Sequence, residues 1–560
     1  MKISIRVIEA LVALFFVPLI ALGQVQTLGT VNYVYSEKIN SSVNVEPLGE
    51  GLFGDQTSME DGSTVFRAID VAIPAEVNLP FQIGRVLNVE PSRGWRATYD
   101  QTPDIFGYKW RADIPYIEGD FIESYGWVAS TVGTGERCSS GNFSLSAINI
   151  SQIIIKAHNF FFGNTINIPG SGREKMLAIP VGGPRPQDGA TYVGTTRSNW
   201  KVSCLTSIKN GSGEGFQVVL PDGAKYFFDW IASERTGYIM TARGTVYTNR
   251  MRLYATRAED RFGRSVEYNF DSGNPHRIVS VRSGLQSIDI FYTNEGRVSY
   301  IQSSGRRWDY SYINGALAVV SLPDGSSWKY GNPPTGVDSN PWFQPCTFSL
   351  GSRTSSSVPA SDELRTYEMT HPSGAVGIFK FRSLMFGYNR TPGICQEGGD
   401  YIPVTRIALS LYEKTISGPG ISPISWSMKY YPSWSYEDQC QGCPTTASTV
   451  VSRSDSVVTT YVFGNDYSTN AGQLLSRSTA GSGGVKITRY KYANSAAGYP
   501  FPDVIGEDKY QILSNPIFLK NRPVIEESIE LDGYNYRASY VRFDQYARPV
   551  EIVKTGSPMP

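Results

Sequence analysis

Two acidic turns raise the question of chemistry first. "LPDGSSWKY" at 322–330 and "LPDGAKYFFDW" at 220–230 share a turn followed by an aromatic run, and Asp324, Asp222 and Asp229 are their carboxylates. A glycosidase needs two carboxyl groups converging across one bond, roughly 5–9 Å apart, and nothing in the spacing brings these together. A turn explains all three residue types at once: Pro323 presets φ, Asp324 suits the next position, and Gly325 takes the left-handed one. Cys440-Gln-Gly-Cys443 has the spacing of a zinc half-site or a redox pair. Zinc needs two more ligands, normally from a second close pair, and the sequence has none. A thioredoxin-like motif opens a helix, whereas Pro444 and the β-rich "TTASTVVSR" follow here. A local disulfide between Cys440 and Cys443 is the simpler reading.

The three histidines, His158, His276 and His371, are far apart in sequence. No His-Glu-x-x-His, Gly-x-Ser-x-Gly or Walker sequence accompanies them. "GSGEGF" (211–216) and "GSGREK" (170–175) are glycine-rich but lack the Gly-Lys-Ser/Thr that meets a phosphate, and read as loops. The expectation is therefore a non-enzymatic chain with no metal and no cofactor.

The elements that must position these residues are strands. "RSVEYNFD", "SIDIFYTN", "RWDYSYIN" and "ITRYKYAN" alternate apolar or aromatic with polar residues, the period of a half-buried strand. The 560 residues carry 55 Gly and 34 Tyr, and aromatics reach 12%, which favours sheets and turns over helical bundles. Basic and acidic residues balance at 51 each, which argues against nucleic acid as a partner. Residues 1–23 read as a signal peptide: Lys2 and Arg6 precede an apolar run from Ala10 to Leu22. No later stretch is apolar enough for a membrane helix, so the expected location is secreted or at the cell surface. Six cysteines in an exported chain suit disulfides. Pairing of sequence neighbours (138 with 204, 346 with 395, 440 with 443) is one connectivity among several that stay open.

Aligning the turns reveals a repeat. "HRIVSVRSG" closes on Gly284, "GRVSYIQSSG" on Gly305 and "ALAVVSLPDG" on Gly325, spacings of 21 and 20 residues. Each unit reads as a β-hairpin whose glycines supply positive φ. The expected divisions are an N-terminal β-rich region (24–215), hairpin repeats (216–335), a β-rich insertion with four cysteines (336–450) and returning repeats (451–560). Stretches 331–341, 350–361 and 416–424 read as linkers or surface loops.

"YTNEGRVSYIQSSG" and "FDQYARPVEIVKTG" resemble the YD repeat of the Rhs family: Tyr or Phe, Asp, two residues, Gly-Arg, an apolar strand and a closing Gly. Tyr292, Gly296, Arg297 and Gly305 match one copy, with Thr293 where Asp is usual. Phe543, Asp544, Arg548 and Gly556 match another, with Ala547 in place of Gly. Asp260, Gly263 and Arg264 open a third. Flanking blocks such as "LPFQIGR", "YKWRADIPYIEG" and "THPSGAVG" resemble the N-terminal portion of secreted, wall-associated-type Rhs proteins of Gram-negative bacteria. The resemblance implies a mostly β fold, antiparallel hairpin repeats forming a twisted sheet or partial β-shell. It implies a structural or interaction protein that encloses or presents a toxin or effector in interbacterial competition. Its partners would be that toxin or effector, a further Rhs-repeat polypeptide, or a cell-envelope component. Repeats are few, and neither an Asp-Pro-x-Gly self-cleavage motif nor a toxin segment follows before Pro560. The expectation is thus the opening part of a longer system, or a wall that a partner completes. The alternative is a secreted carbohydrate-binding or carbohydrate-cleaving β protein, with strands such as "KYFFDW" and "WDYSYI" as a stacking platform. Cross-strand packing of the same rings is the reading favoured over it.

Overall fold

A computed structural model describes residues 51–89, 105–127, 136–140, 148–150, 153–155, 161, 163–241, 244–334, 363–391, 405–435, 440–507, 516–531 and 533–558. The residues of the expected signal peptide, His158, Cys346 and Cys395 lie outside these. Among the described residues the strands pair antiparallel, and one short 3-10 turn, Pro516–Leu519, joins them. No helix among the described residues is long and apolar enough to cross a membrane.

A 27-stranded sheet dominates. From Leu177–Ala178 to Pro549–Pro558 each strand pairs with its successor in the chain, a continuous meander of hairpins. The alternation in the sequence becomes alternation in burial: Ile288, Ile290, Ile301, Trp308 and Val320 are buried, while Phe291 and Ile313 are exposed. "KYFFDW" and "WDYSYI" follow the same rule, with Tyr226, Phe228, Trp308 and Tyr310 all inside. Their rings pack, as expected over a stacking platform. Stretch 416–424, expected as a loop, is instead strand on both sides of a tight turn, Thr405–Gly418 running into Ile421–Tyr431. Pro419 and Gly420 alone form the bend, Gly420 at φ 72°.

Two hairpins are longer than the rest, Lys225–Thr241 with Gly244–Glu259 and Val376–Gly387 with Thr405–Gly418. The first forks the sheet. Arg257–Glu259 pair with the next strand, Ser265–Phe270, whereas Thr248–Tyr254 on the same edge pair with Tyr116–Ile122. Tyr116–Ile122 in turn carries Thr165–Ile168.

A separate four-stranded sheet, Asp55–Thr57, Thr64–Ala72, Gln82–Val89 and Trp110–Ala112, lies against one face of the meander. Phe66 meets Phe379 and Tyr367 edge-on at 4.8 and 5.3 Å between ring centres. Phe53 sits over Gly377, where a Cβ would come within 2.8 Å of its ring. One hydrophobic core runs unbroken from Phe53 to Phe463. Where the resemblance implies a hollow wall, this part of the sheet has its face covered by the chain's own N-terminal segment. Beyond Leu474 the strands are half-exposed on both faces, and a small second core holds Phe501, Val524, Tyr540 and Phe543.

Disulfides join Cys138 to Cys204 and Cys440 to Cys443, the neighbour pairing expected for these four.

Candidate functional site

The LPDG aspartates shape turns. The Asp324 carboxylate accepts the Ser326 hydroxyl at 2.6 Å and its amide at 2.9 Å, which holds this exposed carboxyl below its ordinary range. Asp222 accepts the Ala224 amide in the same way. Gly223 and Gly325 take φ of 90° and 85°, a conformation open to glycine at little strain. Asp229 points elsewhere. It accepts the Thr256 hydroxyl at 2.6 Å with Lys209 3.7 Å away, and burial pushes its carboxyl up.

The YD-type turns carry a second, more elaborate lock. One Asp260 carboxylate oxygen accepts the amides of Phe262 and Arg264, and the other accepts Arg264 Nε at 2.9 Å. Asp544 repeats this atom for atom, with the amides of Tyr546 and Arg548 and Arg548 Nε at 2.7 Å. Ala547 occupies the left-handed position at φ 59° that Gly263 fills at 82°. In the copy with Thr293, the hydroxyl accepts the Arg297 amide at 3.3 Å, a weaker version of the same closure. Asp260 also accepts the Asn78 amide, tying a turn of the meander to the N-terminal segment.

The tyrosines clamp one repeat onto the previous one. Tyr292 donates to the Ile278 carbonyl and Tyr312 to the Val298 carbonyl, both at 2.7 Å. Arg277 lies 5.3 Å over the Tyr292 ring and Arg297 5.7 Å over Tyr312, so each arginine covers the next repeat's tyrosine. Those guanidiniums fill the space above Gly296, where a Cβ would strike Arg277, and crowd Gly315, where a Cβ would lie 3.2 Å from Arg297. Gly284 and Gly305 are turn glycines with positive φ. Gly556 differs: it lies inside the strand Pro549–Pro558, beneath the Tyr536 ring. Phe543 is buried in the second core.

The most concentrated ionisable cluster sits at the fork and carries no motif. Glu118 accepts Arg252 Nε at 2.9 Å and Arg173 at 2.5 Å, Arg252 also meets Glu234 at 3.0 Å, and Arg250 meets Asp120 at 3.0 Å. Burial alone would raise the Glu118 carboxyl, yet Arg173, Arg252 and Arg250 together hold it far below the ordinary carboxylate value. A general acid needs the opposite shift, whereas this carboxylate is held as an anion among three guanidiniums. Its trace in the sequence is faint: "YIEGDFI" and "NRMRLYA" place like charges two apart within apolar strands, a signature of one charged face.

His276 lies beside this cluster. Its ring nitrogens reach the Tyr254 hydroxyl at 3.3 Å and the Ser233 carbonyl at 3.1 Å, and burial lowers its pKa. His371 Nδ1 reaches the Ser373 hydroxyl at 2.8 Å, but the same nitrogen accepts the Ser373 amide, which closes a turn. Exposed Phe291 stacks on half-buried Tyr300 at 4.3 Å, and Arg307 covers Tyr300 at 3.8 Å, leaving that ring no free face for a sugar. Among the described residues no group of His, Cys, Asp and Glu converges as a metal site.

No family model and no curated protein matches the chain. Among solved structures, one titled "Crystal Structure of TcdB2-TccC3" aligns with 90% of this chain at 9% identity and a TM-score of 0.18. The chain spans 30% of the length of that match.

Proposed function

We propose that this chain is a non-enzymatic wall: part of an Rhs-type β-shell, exported to the medium or cell surface, that encloses or presents a toxin or effector in competition between bacteria. The observation that carries this reading is the recurrent lock. Asp260 and Asp544 close identical turns nearly three hundred residues apart, and Tyr292 and Tyr312 clamp successive hairpins in identical ways. Residues that could do chemistry are used to hold strands in register. The N-terminal sheet serves as an internal brace, so a guest polypeptide would face the half-exposed strands after Leu474 and not the covered face before Phe463. A further repeat polypeptide or an envelope component would complete the wall there.

The test is to purify the tagged full chain from culture medium and envelope of its native host and digest it with proteinase K. The expected result is a second polypeptide, in fixed ratio, that survives digestion until the chain is unfolded. A chain that purifies without any protected polypeptide overturns the reading. Binding to oligosaccharide in that case would select the carbohydrate-binding alternative.

A further inference from the structure

The first strand of the meander touches the segment between the strands Gly484–Tyr492 and Val524–Leu531, and the join is thin. Ala178, in its first strand, donates to the Glu507 carbonyl at 3.0 Å and accepts the Glu507 amide at 2.8 Å, one paired residue on each side. Gly506 permits this approach, since a Cβ there would lie 2.5 Å from the Leu177 Cβ. Beside it, Asn199 donates to the Tyr546 carbonyl at 3.2 Å, Lys201 Nζ lies 5.0 Å from the Tyr546 ring, and Arg197 lies 5.4 Å over Phe518. By contrast, the hairpin Lys225–Glu259 pairs along its whole length. Elements held by few hydrogen bonds and little buried area open first.

We propose that this seam, where Ala178 meets Glu507 and Lys201 meets Tyr546, is the place at which the first strand of the meander parts from the later segments packed on it, and that Lys201 is a charge built into it that favours opening. Lys201 is buried and donates to Thr195 Oγ1 at 2.9 Å. The charges that act on it are Arg548 and Arg185, and its ring neighbour Tyr546 in turn feels Asp544 and Asp188. Both carboxylates beside Tyr546 are engaged, Asp544 by Arg548 and Asp188 by the Tyr192 hydroxyl. The ammonium is thus buried among like charges, and a buried charge without an ionic partner destabilises the state that buries it. Burial, then Arg548 and Arg185, push Lys201 down to about 8. A value below that of a free lysine means that protonation favours the open seam, fully so below about pH 8.

The experiment is amide hydrogen exchange on the full chain at pH 7, which depends on no cargo and so fails or succeeds apart from the function proposed above. The amides of Ala178 and Glu507 should exchange at least about tenfold faster than those of Phe228 and Leu253 in the long hairpin. Lys201→Met, which keeps the length of the side chain over Tyr546, should slow the seam amides by about tenfold and leave the hairpin unchanged. A disulfide bridging Ala178→Cys and Glu507→Cys should abolish the fast exchange. Seam amides as slow as those of the hairpin, or a seam loosened by Lys201→Met, would overturn the inference.

Discussion

Asp55 and Lys414 form an ion pair at 2.6 Å between the N-terminal sheet and the meander, with side chains 1% and 0% exposed. Lys414 also lies over the rings of Phe379 and Trp426. Burial outweighs the lysine and pushes the Asp55 carboxyl up. The two single substitutions should therefore be unequal. Asp55→Ala takes the carboxylate away from an ammonium buried among aromatic rings and should cost about 3–5 kcal/mol, the usual penalty for breaking a buried pair from one side. Lys414→Met leaves a carboxyl that can take a proton and thereby escape its charge, so its cost should be about half as large. The double variant, which removes both charges and adds an apolar chain against Phe379, should fall within about 1–2 kcal/mol of the parent. With an unfolding entropy near 2.1 cal/mol/K per residue, a chain of this size shifts its Tm by about 1 °C per kcal/mol. Calorimetry should thus show drops of roughly 3–5 °C for Asp55→Ala, less for Lys414→Met, and near recovery for the pair. Equal single drops that add in the double variant would refute the argument, because additivity means the two charges do not depend on each other.

Glu118 gives a prediction in pH. Its folded carboxyl lies below the ordinary value, so its stabilisation is present above about pH 4.5 and is lost as pH falls further. Glu118→Gln should lower Tm at pH 7 and flatten the acid limb of a Tm–pH profile between pH 5 and about 3. Tyr312→Phe removes the clamp on the Val298 carbonyl and should cost about 1 kcal/mol by thermal unfolding, with no change in the sheet signal by circular dichroism. Cys138 and Cys204 are 66 residues apart and Cys440 and Cys443 only 3, so loop entropy predicts losses of about 4 and about 2 kcal/mol when each pair is changed to Ser. Equal losses in calorimetry would contradict that account.

The strands could be read from the sequence because alternation is a local property, and "SIDIFYTN" needs no partner to reveal its period. The turn chemistry of Asp324 was readable for the same reason. "ISGPG" misled because Gly and Pro mark a tight hairpin bend as strongly as they mark a long loop. The N-terminal brace was invisible for a different reason. Arg85 stacks against Trp110 and Tyr330, binds Asp70 at 2.7 Å and donates to the Tyr330 hydroxyl, a partner 245 positions away. No periodicity encodes such a contact. The Glu118 cluster lay between these cases: its alternating charges were visible, but their convergence required the fork.

The fork also sets an order of events in time. Tyr116–Ile122 pairs with Thr248–Tyr254, Arg85 meets Tyr330, and Asp55 waits for Lys414, 359 positions later. A chain emerging from its N-terminus presents these acceptor-seeking strands and charges long before their partners exist. Contacts of such long reach make folding slow, and an unpaired edge invites other strands during the delay. The finished sheet is knitted of near neighbours, yet the N-terminal sheet packed on it must wait longest for its partners.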